Sequence, residues 1–551
     1  MRTILCLLLL FSLQSLFAQH IPTLQRRVPQ LLDSALVPGV ALAVINSKGV
    51  QHAQGFGLRE ANTQFKVDEN TIFSAASLSK PVFAYVVLKL VDEGKFNLDK
   101  PLWEYFPYPD AAHDERYKRI TARMVLSHTT GFPNWRNGQL NLLFDPPKRF
   151  SYSGEGFVYL QRVIEHLTQQ STDVLAQEKV FKPLAMSRSS FVWQKTFEDN
   201  FSYRHNRFGL PTGISKFDQA NTAYSLQTSA ADYGKFLVAL LNGKGLKPAS
   251  VKQLFAPQVR TGQKFRDTLQ ASKSIAWGLG LGLQIGENDE GFWHWGDNGD
   301  FKCFFFVSRT QKKGLVYFSN GSNGLNFAAS LTRLVVDVPM PSMSEFLAYT
   351  DYKTPLFQLG IQILKRDVIS AVEPYLSGGK IGFSADELRG LSSDLLRANQ
   401  ANKAQDLLEW SIKQYPDSKS LLKTYSLSLL QMGERDKARP VLGKYLQLDP
   451  GDPQISHLFK QLNEVPSGKV VLRSKAFAKA KMVTIAGSFN NWQSFYTLAN
   501  RENEEWVVRL DLAPGKYTYK FVVDGNWELD PDNFEKEDDG NGNTNSVLIV
   551  K

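Results

Sequence analysis

The sequence predicts a multidomain chain in which an α/β domain, an α-helical region and an all-β sandwich follow one another. Three observations carry this reading. The chain has 551 residues, more than a single hydrophobic core organises at roughly 100–200 residues per domain. Up to about residue 340 it mixes short apolar β-like runs, such as 40–45, with helical stretches such as 81–93, the texture of an α/β or α+β domain. After about residue 469 the period changes to two, with runs at 483–486, 506–512 and 517–523 split by Asn-Asn, Pro-Gly and Asp-Gly turns, which is sandwich patterning. A composition of 43% hydrophobic, 21% charged and 12% aromatic residues excludes wholesale disorder and collagen-like or low-complexity structure.

The N-terminus comes first. In residues 1–18 Arg2 is the only charge, residues 5–11 are apolar and Ala18 stands before Gln19, the pattern of a secretory signal peptide. The apolar run is shorter than the roughly 20 residues of a bilayer span, and no later segment reads as transmembrane. The expectation is an exported protein, periplasmic or extracellular. Without the leader only Cys303 of the two cysteines is left, so no intrachain disulfide forms and stability rests on packing. The net charge of +10, or +9 without Arg2, is dispersed, with no run of five or six basic residues. That argues against nucleic-acid binding. The eight histidines include no HExxH and no close His/Cys cluster, so neither a metal site nor a cofactor is expected.

The α/β domain, residues 19–342, carries the chemistry. Ser77-Leu78-Ser79-Lys80 precedes Pro81 and an apolar helical stretch ending near Gly94. A helix starting here puts Ser77 and Lys80 one turn apart on one face, with Pro81 early enough to be tolerated. The hydroxyl then sits at the positive end of a helix beside an amine able to take or steer its proton. Alone the motif is weak, since Ser377 to Lys380 and Ser420 to Lys423 fit it too. Its company makes it specific: Leu126-Ser127-His128-Thr129-Thr130-Gly131, then Tyr152-Ser153-Gly154, then His294-Trp295-Gly296 beside the apolar run 303–307.

This set resembles the serine β-lactamase and penicillin-binding-protein superfamily, in particular its class C-like D-alanyl-D-alanine peptidases and esterases. The resemblance implies a β-lactamase/transpeptidase-like fold and a serine hydrolase. It makes Ser77 the acylated nucleophile, Lys80 its proton partner, Tyr152 the general base and then acid, and His294 the third-motif residue. The oxyanion hole would be the backbone N–H groups of Ser77 and Asp297, just after the motif residue Gly296. Structural alternatives stand beside these roles: Tyr152 as a core aromatic next to Phe150, His294 as packing between Trp293 and Trp295. His128 reads as scaffold. One departure matters. The family's second motif often ends in an Asn that contacts the substrate's acyl-amide group, and Gly154 cannot do that. His294 also offers less permanent charge to a substrate carboxylate than Lys, its unperturbed pKa being near 6.5. Both changes tilt the expected substrate toward small esters or other uncharged acyl compounds and away from peptides and β-lactams.

The helical region follows a linker at 343–375. Across 376–463, Lys403-Ala404 recurs as Lys437-Ala438, Leu408 as Leu442 and Pro416 as Pro450, each at the tetratricopeptide period. These segments resemble that repeat family, with a small Ala where two helices cross. Two repeats alone bury too little surface, so helices from 356–375 or a neighbouring domain should cover an end. A protein partner is expected at the repeats.

The last module spans 467–551. Gly487-Ser488-Phe489-Asn490-Asn491-Trp492, Pro514-Gly515, residues 519–525, Trp527, Asp530-Pro531 and Asn545 occur in order. The segment resembles the glycogen-binding domain of AMP-activated protein kinase β subunits, a family 48 carbohydrate-binding module with an immunoglobulin-like sandwich. No kinase activity follows. The resemblance makes Trp492 and Trp527 stacking platforms for an α-glucan, with Lys520 and Asn545 on its hydroxyls, because sugar C–H faces suit flat rings flanked by hydrogen-bonding groups. Tryptophans are also sandwich-core residues, but both stand just after turns. The loop 538–543 is all acidic, Gly or Asn, where the family often has an apolar clasp. The leading expectation is an exported serine hydrolase tethered to α-glucan. A D-alanyl carboxypeptidase or transpeptidase and a catalytically silent sugar-binding scaffold are the alternatives.

Overall fold

The computed structural model describes residues 21–136, 138–261, 272–286, 289–347, 352–378, 380–464, 468–538 and 544–551. The signal peptide expected at 1–18 and most of the acidic loop at 538–543 lie outside these residues. The chain divides into two compact units, one ending at Thr354 and one running from Pro355 to Lys551.

The first unit is built on an eight-stranded antiparallel sheet in the order Gly49–Gly57, Gly39–Asn46, Lys313–Ser319, Lys302–Ser308, Glu290–Asp297, Gly282–Ile285, Ile275–Trp277, Val259–Arg260. Gly39–Asn46 and Lys302–Ser308 are buried along almost their whole length. They therefore read as continuous apolar runs rather than as alternation. The helix Ala230–Leu241 packs on Gly39–Asn46, Gly49–Gly57 and Lys313–Ser319.

The helix Ser79–Asp92 is apolar on nearly every side because eleven of its residues are buried. Each fully buried Val, Leu or Phe stabilises by about 1.5–3 kcal/mol over exposure. Pro81 falls in the first turn, where its missing N–H costs no hydrogen bond. The helix begins two residues later than the sequence suggests: Ser77 sits in a preceding 3₁₀ turn, Ala76–Leu78. Ala76 has φ +47, a left-handed conformation unusual for a residue with a Cβ.

In the second unit the helices Ala385–Arg397, Ala401–Gln414, Lys419–Gln431, Arg435–Leu448 and Pro453–Asn463 pack in succession. Ser384, Ser418 and Asp452 cap three of them through their side chains, each cap contributing about 1 kcal/mol. Ala404 and Ala438 are both fully buried. One end of the stack is held by Lys403 Nζ, which donates to the carbonyl of Leu364 at 2.8 Å in the helix Pro355–Lys365. The other end shares a core with the β-module: Met482 and Leu498 join Leu458, Ile455 and Tyr445 in one apolar cluster. Arg435 Nη1 donates to Asn500 Oδ1 at 2.9 Å across the same junction.

The β-module has two sheets, Val470–Ser474, Glu505–Leu510, Asn500–Glu502 and Thr497–Leu498, Val483–Gly487, Gly515–Val523, Thr544–Val550, Lys536–Asp538. Ile485, Tyr519 and Phe521 from one meet Trp506 and Val508 from the other in their common core. Among the described residues no helix is long and apolar enough to cross a membrane.

Candidate functional site

The short 3₁₀ turn and the following helix bring Lys80 against Ser77. Lys80 Nζ donates to Ser77 Oγ at 3.0 Å and to the carbonyl of Ala223 at 2.8 Å. The lysine is 1% exposed, and its ammonium group lies 4.9 Å from the centroid of the Tyr152 ring and 5.5 Å from that of Phe157, where aromatic faces favour a cation. Ser79 braces the turn: its Oγ donates to the Ala76 carbonyl at 2.6 Å and accepts from Leu226 N–H at 2.9 Å.

Tyr152 lies two residues before the helix Gly154–Thr168, whose N-cap Ser153 accepts from Gly156 N–H at 3.0 Å. Its hydroxyl is buried beside that of Ser77 and, among the described residues, has no partner in full hydrogen-bonding geometry. Burial drives the phenol well above its ordinary pKa, while the nearby Ser77 hydroxyl pulls the other way. The phenol is therefore neutral at pH 7. His128 holds it from behind: the two rings are 4.3 Å apart, and His128 Nδ1 accepts from Ser153 N–H at 3.0 Å. Burial, with Lys80 and His294 nearby, pushes His128 well below the usual imidazole pKa. This neutral histidine is scaffold, as its sequence context suggests.

The strand Glu290–Asp297 supplies the opposite wall. Gly296 is required by close approach: a Cβ there would stand 2.3 Å from Cys303 Sγ and 2.7 Å from the Ala75 carbonyl. Only a bare Cα lets the turn carrying Ser77 press against the strand end. The Asp297 carboxylate is paired with Lys302 and accepts from Gly299 N–H at 3.0 Å. His294 is fully buried. Its Nδ1 lies 2.7 Å from the Trp295 carbonyl, which only accepts, so Nδ1 carries a proton. Its ring stacks on Trp295 and lies 6.2 Å from Tyr152. Ser77, Tyr152, Trp295 and Asp297 line one cavity of about 560 Å³, and His294 stands in the aromatic layer around Trp277, Trp295 and Tyr152.

The cavity also holds residues that the motifs do not point to. Asn134, Trp135, Arg204, Phe217 and Tyr224 are among its walls. Gly154, where the family often has Asn, has no room for a side chain: a Cβ would fall 2.5 Å from Trp135 Cη2 and 2.9 Å from the Asn134 carbonyl. Gly154 N–H donates to Asn134, reaching its carbonyl at 2.9 Å and its Oδ1 at 3.1 Å. The neighbouring loop thus fills the space that the motif side chain would take. The sequence signal was the pair Asn134-Trp135 closely following the Leu126–Gly131 motif, Trp135 being 47% exposed. Arg204 had no local signal. Its Nη2 donates to the Thr212 carbonyl at 3.2 Å, its buried Nε has no partner, and no carboxylate pairs with it among the described residues.

In the second unit the four predicted sugar-contact residues converge. Trp492, Lys520, Trp527 and Asn545 line an open groove of about 750 Å³ with Thr518, Glu537 and Asp538. The two indoles are 6.2 Å apart at 45°, and Trp527 is 46% exposed. Consecutive left-handed residues, Asn491 at φ +52 and Trp492 at φ +58, turn the chain sharply at this tryptophan.

Comparison with known proteins agrees with both regions. The Ser–Lys–Tyr cluster fits a β-lactamase-type domain, and the groove fits a sugar-recognition module. Residues 24–339 match the beta-lactamase family model, more than half of the chain, and the protein belongs to that family. Residues 475–551 match the glycogen recognition site of AMP-activated protein kinase. The chain therefore joins a β-lactamase-related serine hydrolase fold to a glycogen-binding module. "Protein flp" of Staphylococcus aureus (strain NCTC 8325 / PS 47) is 23% identical over 318 residues, 52% of this chain and 61% of that protein. "Penicillin-binding protein 4" of Amycolatopsis lactamdurans is 25% identical over 342 residues, 56% of this chain and 87% of that one. The chain thus spans about three-fifths of the length of its staphylococcal relatives. Among solved structures, the octameric penicillin-binding protein homologue from Pyrococcus abyssi has 18% identity and TM-score 0.49, covering 63% of this chain and 82% of that one. The D-alanine carboxypeptidase AmpC from Burkholderia cenocepacia has 14% identity and TM-score 0.48, covering 58% and 98%.

Proposed function

We propose that the protein is an exported serine hydrolase that forms an acyl-enzyme on Ser77, acts on small esters or related uncharged acyl compounds, and is kept at its substrate by binding α-glucan. The observation that carries this reading is the 3.0 Å contact between Lys80 Nζ and Ser77 Oγ beside the buried hydroxyl of Tyr152. Ser77 Oγ attacks the acyl carbon as its proton passes to the Tyr152 oxygen, which gives up its own phenolic proton in the same relay, with the Lys80 ammonium steering the hydroxyl. The developing oxyanion is held by the backbone N–H groups of Ser77 and Asp297, a donor worth about 3–4 kcal/mol in comparable sites. The phenolic proton of Tyr152 goes to the departing oxygen as the serine proton replaces it, so Tyr152 stays neutral, and water then releases the acyl group by the reverse route. His294 backs this exchange from the layer behind Tyr152. Export is supported by the leader pattern of residues 1–18. The helical segment serves as a tetratricopeptide-like spacer or partner surface, and tethering raises the effective substrate concentration without any new contact at Ser77.

The ester preference is supported by Gly154, which the loop of Asn134 and Trp135 covers. A second reading, a D-alanyl carboxypeptidase or transpeptidase, is favoured by Arg204, a cation in the cavity wall with no ion-pair partner among the described residues. It could hold the free carboxylate of a peptide terminus. Intact-mass analysis after exposure to a fluorophosphonate and, separately, to a penicillin distinguishes the readings, with Ser77→Ala as control. A Ser77-dependent adduct with the phosphonate alone supports the esterase. Adducts with both support the peptidase. Adducts with neither overturn the hydrolase.

A further inference from the structure

Trp492 belongs to two cavities. One is the groove it shares with Trp527, Lys520 and Asn545. The other, about 670 Å³, is lined by residues 489–496 of the β-module and by Pro453 and Gln454 at the start of the helix Pro453–Asn463. Its aromatic surface comes from Phe489, Trp492, Phe495 and Tyr496. The Tyr496 ring is not a loose loop side chain: it stacks on His457 of that helix with centroids 4.1 Å apart and planes within 9°. Gln454 Nε2 donates to the Phe495 carbonyl at 3.4 Å, fastening the same segment. Asn490 is already engaged, its Nδ2 donating to the Ile485 carbonyl at 3.0 Å and its Oδ1 accepting from Gly487 N–H at 2.9 Å. The exposed amide side chains of Asn491 and Gln493, by contrast, make no hydrogen bond among the described residues.

A fixed aromatic ring beside unengaged amides, continuous with a tryptophan that already faces a sugar groove, is what a longer polyhydroxyl chain needs. We propose that this second cavity is an extension subsite for the same α-glucan chain, built jointly by the β-module and the helical region. It rests on the α-glucan reading of the first groove. A chain held by Trp527 and Trp492 continues past Trp492 onto Tyr496, and His457 acts as a positioning residue that keeps the Tyr496 ring in place. Because both subsites hold one polymer, occupation of the first makes the second contact intramolecular.

The test is calorimetric titration of the full chain with maltotriose and maltoheptaose. Wild type should bind maltoheptaose roughly tenfold more tightly. Tyr496→Ala should remove most of that advantage and leave maltotriose unchanged, whereas Tyr496→Phe should retain it. His457→Ala should weaken maltoheptaose by about threefold with maltotriose unaffected. The surface pair Asn491→Ala and Gln493→Ala leaves the stacked ring intact and should weaken maltoheptaose alone, so the test stands if Tyr496→Ala unfolds. Unchanged maltoheptaose affinity in folded Tyr496→Ala, or in the surface pair should Tyr496→Ala unfold, overturns the subsite. Loss of both ligands in Trp527→Ala, with the length advantage intact in Tyr496→Ala, overturns the subsite but keeps the α-glucan reading. No binding of either sugar by wild type overturns both.

Discussion

Lys80 and Lys520 show how differently the two regions use one residue type. Lys80 is sealed between aromatic rings, with its ammonium group bonded to a serine hydroxyl and a backbone carbonyl. Lys520 is half-buried in the wall of an open groove. The tryptophans divide in the same way: Trp277, Trp293 and Trp295 are fully buried in the aromatic layer around Tyr152 and His294, while Trp527 is nearly half exposed. Water accounts for the contrast. Moving a proton between Ser77, Lys80 and Tyr152 gains from a dry setting, where every charge and dipole acts at close to full strength. Holding a hydrated polymer needs flat rings that solvent reaches and that exchange one sugar for another without burying charge.

The largest effect should come from breaking the dry side. Ser77→Ala is expected to lower ester hydrolysis at least about a thousandfold and to abolish the phosphonate adduct, with glycogen binding unchanged in a pull-down. Next in size is the wet side: Trp527→Ala or Trp492→Ala should weaken α-glucan binding by roughly tenfold or more, with the rate of Ser77 acylation within about twofold of wild type.

Gly154→Asn, which restores the residue the family often has, should destabilise the first unit by about 1–3 kcal/mol because Trp135 occupies the space. Adding Trp135→Ala should recover much of that loss in thermal unfolding, and failure to recover it would mean that the clash with Trp135 is not the cause. The smallest effect is on pH. His128 is neutral when folded and its folded pKa is depressed, so the unfolded chain binds the extra proton. Its contribution is complete above the unfolded value of about 6.5 and is lost as pH falls below it. Melting of the full chain between pH 7 and 5 should show the first unit falling, and His128→Asn, which keeps an acceptor for Ser153 N–H, should flatten that slope.

Much of this was legible in the residues. The Ser77–Lys80 spacing survives the shift of the helix start to Ser79, because residues three apart share a face in a 3₁₀ turn as in an α-helix. The resemblance to a glycogen-binding module pointed to Trp492 and Trp527, and their post-turn position added the expectation that they are exposed. What escaped was tertiary. Asn134 and Trp135 act on Gly154 from 20 and 19 positions away, and Arg204 reaches the cavity from a two-stranded ribbon, Arg204–His205 with Pro211–Gly213, that no periodicity announces. Met482 and Leu498 look like ordinary strand residues, and alternation cannot say that they face helices rather than a second sheet.

That last pair has a practical consequence. A sugar-binding domain is usually treated as portable cargo that can be cut out, swapped or grafted. Here its lower surface is also the cover for Ile455 and Leu458 of the last helix. A cut near residue 466 would give two fragments with sticky, greasy faces, each prone to self-association. Inheritance and engineering alike would do better to treat residues 355–551 as one transferable piece.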